Sequence, residues 1–402
     1  MNVRKSTFVL FFCLLPMTIV EYFKLPSFTE RVWFYLAIFI AALIALKYRR
    51  IFTPILSVLL VQIVYYTFQQ YSTGMSGGEV LVDILQVRQF MFMTITIMCL
   101  IGAYQHEAIR VLNRIFVLCY TINLFTILAQ MVNYKTIFLT ADEVYFMGYR
   151  YIFCAFSVVS LAIAYYCRRF SEWENALYKY LFIALWITAV TAGPSTLLGG
   201  LIIYSAILLA SKKKQSLGSF QIKLSTPILV IGAVLIDIGI VFFNIQESFA
   251  FIIEAVLNRE ATFTGRSTIW ETSIEAFLKG DFWRGLGNSL AFGYNGWGNL
   301  GWEEQKFSAH NQILTILTNT GVIGLIIELL FFVIILVAIL KIQDKELKYA
   351  LSASYVSMIV MSISTQLIPF RFIEIFAMVV IFISREHSKY EEAILEHEYY
   401  SY

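Results

Sequence analysis

The sequence predicts an all-α polytopic membrane protein, with about twelve transmembrane helices and one large ordered outer loop between the ninth and the tenth. Three observations predict it. The chain of 402 residues is 59% hydrophobic and only 14% charged, against about 25% charged for a soluble domain. That apolar excess cannot be hidden in one globular core, so part of it must face hydrocarbon. Apolar runs of roughly 16 to 24 residues recur along the chain, the length a helix needs to cross a ~30 Å apolar slab. Finally, the basic residues fall mainly on alternate connections.

The runs are 6–23, 32–47, 51–70, 84–104, 111–133, 150–167, 178–193, 195–210, 227–244, 311–340, 349–366 and 369–384. The first follows two cations, Arg4 and Lys5, as in a secretion signal. No small-x-small cleavage site follows it and a second span begins soon after, so it reads as an uncleaved first helix. The seventh and eighth runs are separated only by Gly193-Pro194-Ser195, a tight break. With the N-terminus inside, alternation places nineteen of the thirty Lys and Arg on the inner side, among them Arg110, Arg114, Arg168, Arg169, Lys212–Lys214, Lys341 and Lys345. Positive-inside bias therefore favours twelve spans with both termini cytoplasmic. The resulting organisation is 1–244, helices one to nine; 245–310, the large extracytoplasmic loop; 311–384, helices ten to twelve; and 385–402, a cytoplasmic tail. The five cysteines, 13, 99, 119, 154 and 167, lie in or at the ends of apolar runs, with neither zinc nor disulfide spacing, and read as buried small hydrophobes.

The outer loop has order of its own. "FTGRSTIWETSIEAFLKG" puts Ile269, Trp270, Ile274, Phe277 and Leu278 at helical spacing, with Thr264 or Ser267 available as cap. Its apolar face suits either the membrane surface or the bundle. A turn-dense stretch rich in Gly, Asn and aromatics, "RGLGNSLAFGYNGWGNLGW", follows.

The net charge of +3 makes no basic face and gives no reason to expect nucleic acid. No Gly-rich loop ending in Gly-Lys-Ser/Thr exists for ATP, and the outer loops carry no Asp-x-Asp, which disfavours a divalent-metal mechanism. Of four histidines, His106 falls in an inner loop and His387 and His397 in the tail, so only His310 is predicted on the outer side. Beside Asn311 at the mouth of the tenth run, it suits either a helix cap at headgroup level or a general base, since an imidazole titrates near pH ~6.5. Arg88 lies within the fourth run, where a charge is costly and turns to a partner or cavity. Arg150, Arg266, Arg284 and Arg371 gather near the outer boundary, and guanidinium groups hold phosphate bidentately. Each alone reads first as an interfacial anchor; several converging would suit a membrane-borne diphosphate.

"TGRSTIW", "RGLGNS" and "SAHNQILTILTNTGVIGL", in that order, resemble the signature of the O-antigen and capsular polysaccharide polymerase and O-antigen ligase family. The matching residues are Arg266, Trp270, Gly285, Gly287, His310, Asn311, Gly321 and Gly324. The resemblance implies a membrane glycosyltransferase acting at the outer face of a bacterial cytoplasmic membrane. Its donor and acceptor would be polyprenyl-diphosphate-linked glycans, with no metal or separate cofactor. It would work among membrane lipids, beside a chain-length regulator and a flippase of the same pathway. His310 would be the base and Arg266 the best-matched diphosphate-holding arginine, with Arg88, Arg150 and Arg284 as further candidates. Pro194 stands where many members carry an arginine, and the run from Arg150 lacks an early Asn typical of ligases, which favours polymerase. Ligase, onto a lipid or cell-wall acceptor, and flippase are the alternatives; a flippase would show charges across the whole membrane and two similar halves.

Overall fold

The computed structural model describes residues 5–18, 27–48, single positions between 57 and 68, 95–132, 144–145, 148–149, 152–191, 193–213, 225–243, 245, 266–286, 309–365 and 372–399. Helices dominate them. In chain order they are α1 (Lys5–Thr18), α2 (Ser27–Tyr48), α3 (His106–Met131), α4 (Ile152–Cys167), α5 (Glu172–Thr191), α6 (Ser195–Lys213), α7 (Thr226–Phe243), α8 (Arg266–Lys279), α9 (Gln312–Leu340), α10 (Lys345–Ser362) and α11 (Phe372–Tyr399). A further helical run, Ile95–Tyr104, precedes α3. Before α4 sits a minimal hairpin, Val144 paired with Tyr149 and Tyr145 with Gly148.

Among the described residues, three helices, α3, α7 and α9, are long and apolar enough to cross a membrane. The eighteen residues of α7 rise about 27 Å at 1.5 Å each. Its buried stripe is Thr226, Ala233, Asp237 and Val241, while Ile228, Ile231, Leu235, Phe242 and Phe243 are exposed. In α9, Ile327, Glu328, Phe331 and Ile335 are buried, and Ile326, Leu329, Leu330 and Val333 are exposed. Apolar faces of this extent on long helices suit a hydrocarbon solvent.

The centre is α4, buried nearly all round from Phe153 to Cys167, as expected of a helix apolar on every side. Ser157 and Ser160 sit there because their hydroxyls donate to their own helix's carbonyls, at 2.9 Å each. α3, α5, α6, α10 and α11 pack round it. α10 lies closest to α6, aided by small side chains: Gly200 of α6 faces Met361, where a Cβ would collide with the thioether. The five cysteines are free and buried, as read from the sequence.

Several boundaries differ from expectation. α3 starts at His106, five residues before the predicted 111, so His106 belongs to a helix end rather than a loop. α5 and α10 likewise start early, drawn out by polar first turns containing Glu172, Glu174 and Glu346. α11 runs through the segment assigned to the tail as far as Tyr399. The break at Gly193-Pro194-Ser195 is present: α5 stops at Thr191, and Pro194 O accepts from Leu197 N at 2.9 Å as α6 begins.

One end of the bundle is tied by charge. His106 Nδ1 meets Tyr166 Oη at 2.6 Å and its Nε2 meets Glu386 at 3.0 Å, joining α3, α4 and α11. Glu174, fully buried at the start of α5, accepts from Asn113 Nδ2 at 2.9 Å and from Arg114 at 2.8 and 3.0 Å. Arg168 bonds Glu346, and Arg169 bonds Asp344, the N-cap of α10. Three arginines predicted for one side, Arg114, Arg168 and Arg169, thus collect at one end.

Candidate functional site

The opposite end holds the segment that the sequence singles out. Asn311 is the N-cap of α9, with extended φ/ψ of −138° and 133°. Its Oδ1 accepts from Leu314 N at 2.8 Å, the usual cap bond to the third helical amide. Its Nδ2 donates twice, to Asp237 Oδ1 at 2.8 Å and to Ile363 O at 3.1 Å. One fully buried amide therefore joins α7, α9 and the end of α10.

His310 precedes this cap with φ +50°, one of two non-glycine residues with positive φ among those described. A left-handed backbone costs a residue with a Cβ about 1–3 kcal/mol and persists only where its surroundings enforce it. Both sides enforce it here. Upstream, the Trp270 indole N–H, buried in α8, donates to Ala309 O at 3.0 Å. Downstream, Asn311 is held as described. Trp270, Ala309, Leu314 and Val241 form one small core, with Ile240 and Ile274 against it. The apolar face of α8 thus lies on the bundle, with Ile269, Trp270 and Phe277 buried and Leu278 turned out, 66% exposed. Of the two surfaces open to that face, the bundle takes it, and Leu278 is excluded.

The glycines of the motif meet. α9 is broken at Gly321, whose φ is +65° and ψ −165°. The freed amides of Val322 and Ile323 donate to Phe282 O and Trp283 O, both at 3.1 Å. On the other side of the break, Thr318 O accepts from Leu286 N at 2.8 Å and Thr320 O from Tyr65 Oη at 2.6 Å. The turn after α8 thus completes the hydrogen bonding of a broken helix. Gly285, φ +71°, lies so close that a Cβ would be 2.6 Å from the backbone of residues 319–321, and a Cβ on Gly321 would collide with Trp283. Each must be glycine for conformation and for space. Gly324 leaves room for the Thr320 hydroxyl, which bonds back to Ile316 O at 2.7 Å.

Charge at this end is partly committed. Asp281 accepts from the backbone amides of Trp283 and Arg284 at 3.0 Å each and from Arg284 Nε at 2.7 Å. The Arg284 amide and guanidinium hold its carboxyl below the usual range. Arg284 remains half exposed. Arg266 opens α8, one turn before Trp270. Arg88, Arg150, Gly287, Arg371 and Thr264 lie outside the described residues.

So Trp270, Gly285, His310, Asn311, Gly321 and Gly324 belong to one assembly. Sequence reasoning missed Asp237. Its signal was a single carboxylate inside "VLIDIGIVFF", where an ionisable residue in an apolar span marks a site by default. Tyr65, inside the third apolar run, left no comparable signal. Among the described residues, no three His, Cys, Asp or Glu side chains converge as metal ligands. The chain matches no protein-family model and no curated protein.

Proposed function

We propose that this protein is an integral-membrane glycosyltransferase that polymerises polyprenyl-diphosphate-linked oligosaccharide units into capsular, O-antigen or exopolysaccharide chains. In this reading it sits in a bacterial cytoplasmic membrane with twelve spans, both termini cytoplasmic and the 245–310 loop outside. His310 is the base that takes the acceptor hydroxyl's proton. Arg266, with Arg88, Arg150 or Arg284, stabilises the departing diphosphate. Fixed cations can supply such stabilisation, and loss of one stabilising group costs about 10²–10³ in rate. Membrane lipids surround the site, and a chain-length regulator and flippase act in the same pathway.

The observation that carries this reading is the clamp on His310. A half-buried imidazole is kept in a costly backbone conformation by Trp270 on one side and Asn311 on the other. Plain capping would require only Asn311. The broken α9 would also suit a flippase, since carriers bind ions or substrates on unwound backbone. Here Val322 N, Ile323 N, Thr318 O and Thr320 O are all occupied by the protein's own groups, which favours the enzyme reading. Ligase remains the alternative acceptor choice.

The test is a deletion strain complemented with wild type, His310→Ala or Arg266→Ala, with membrane levels matched and glycan resolved on a gel. Polymerase predicts single repeat units in place of long chains for both variants. Normal ladders retained on the carrier lipid would mean ligase. Wild-type glycan from both variants would overturn the catalytic assignment.

A further inference from the structure

Asp237 is a fully buried carboxylate, 1% exposed, two thirds of the way along α7, and its partners determine what it can do. Leaving an ion buried in an apolar helix is costly unless it is hydrogen-bonded. Its Oδ1 accepts from Asn311 Nδ2 at 2.8 Å. That same amide nitrogen donates to Ile363 O, and Asn311 Oδ1 is fixed by Leu314 N. Asn311 therefore has no second orientation that keeps its bonds: a flipped amide would aim an oxygen at both Asp237 and the Ile363 carbonyl. The residue whose backbone this locks is the neighbour of His310, in the position where the chain must turn through positive φ.

We infer that Asp237 is a positioning residue for His310, acting through Asn311 to set the direction in which the imidazole leaves the backbone. It does not itself contact substrate. The inference rests on the reading of His310 as a base for its functional meaning, but the geometric claim stands separately. Proton transfer needs near-ideal placement, and a displacement of about 1 Å costs on the order of 10²-fold in rate. An isosteric amide at 237 would keep an acceptor while replacing a charge-assisted bond by a neutral one of roughly half the strength. A leucine would remove the acceptor.

The full chain, labelled with ¹³Cε1-histidine and held in detergent micelles, gives one ring signal for each of its four histidines. His310→Gln identifies the signal of residue 310. In Asp237→Asn, the signals of His106, His387 and His397 stay in place and that of His310 moves by more than its line width; Asp237→Leu moves it further. If all four signals hold in both variants, the positioning role is wrong. If Asp237→Leu moves all four, it has lost its fold and Asp237→Asn alone decides. In cells, Asp237→Asn lowers long-chain glycan about 10- to 100-fold at matched protein level. A moved His310 signal together with normal glycan from His310→Ala would keep the positioning role and overturn His310 as the base. Unchanged glycan in Asp237→Asn, where His310→Ala abolishes it, would overturn the inference.

Discussion

The two ends of the bundle are held by different means. At one, polar side chain meets polar side chain: Glu174 with Arg114, Arg168 with Glu346, Arg169 with Asp344, and His106 hydrogen-bonded between Tyr166 and Glu386. At the other, backbone meets backbone, with the 281–286 turn supplying carbonyls to a broken helix and two glycines making room. The pairs of Arg168 and Arg169, between partly exposed side chains, adapt to small shifts and contribute little each. Backbone bonds across a glycine seam tolerate almost no displacement. The rigid end is also the end where His310 is strained, as a site that must hold one geometry requires.

The comparison can be broken most sharply at the seam. Gly321→Ala adds a Cβ against Trp283 in a left-handed backbone and should cost about 2–5 kcal/mol. Gly199→Ala in α6, where a Cβ meets nothing within 4 Å, should be neutral or stabilising by up to about 1 kcal/mol. Thermal unfolding in detergent reads both; equal effects would mean the seam is not tight. Next in size is Glu174→Ala at the charged end. It deprives buried Asn113 Nδ2 of its acceptor and should cost about 1–3 kcal/mol, an effect only weakly dependent on salt because Glu174 is buried. Arg114 is 41% exposed, so its share is small.

The smallest expected effect is a pH dependence at the seam. The Asp281 carboxyl titrates below its ordinary range when folded, so its bonds to Trp283, Arg284 and the guanidinium contribute stability above about pH 4. That contribution is lost as pH falls through the lowered value. Amide exchange at residues 283 and 284 should quicken relative to α4 on acidification, and Asp281→Asn should flatten the response.

The sequence by itself determined the helices and the residues worth watching. Run length and period located most elements, Gly193-Pro194 their break, and Trp270, Gly285, His310 and Gly321 the motif. Such features are local, set by hydrogen bonding within one segment and by the solvent each face meets. Boundaries near His106 and Glu172 escaped, because polar first turns extend helices without extending apolar runs. Only the tertiary structure decided that Gly285 lies on Gly321, that Trp270 holds the carbonyl of Ala309, and that Asp237 meets Asn311. Those partners stand 36, 39 and 74 positions apart in the chain. No periodicity encodes such a pairing; it follows from how whole helices pack, and that packing makes one half-buried histidine a strained and firmly placed group.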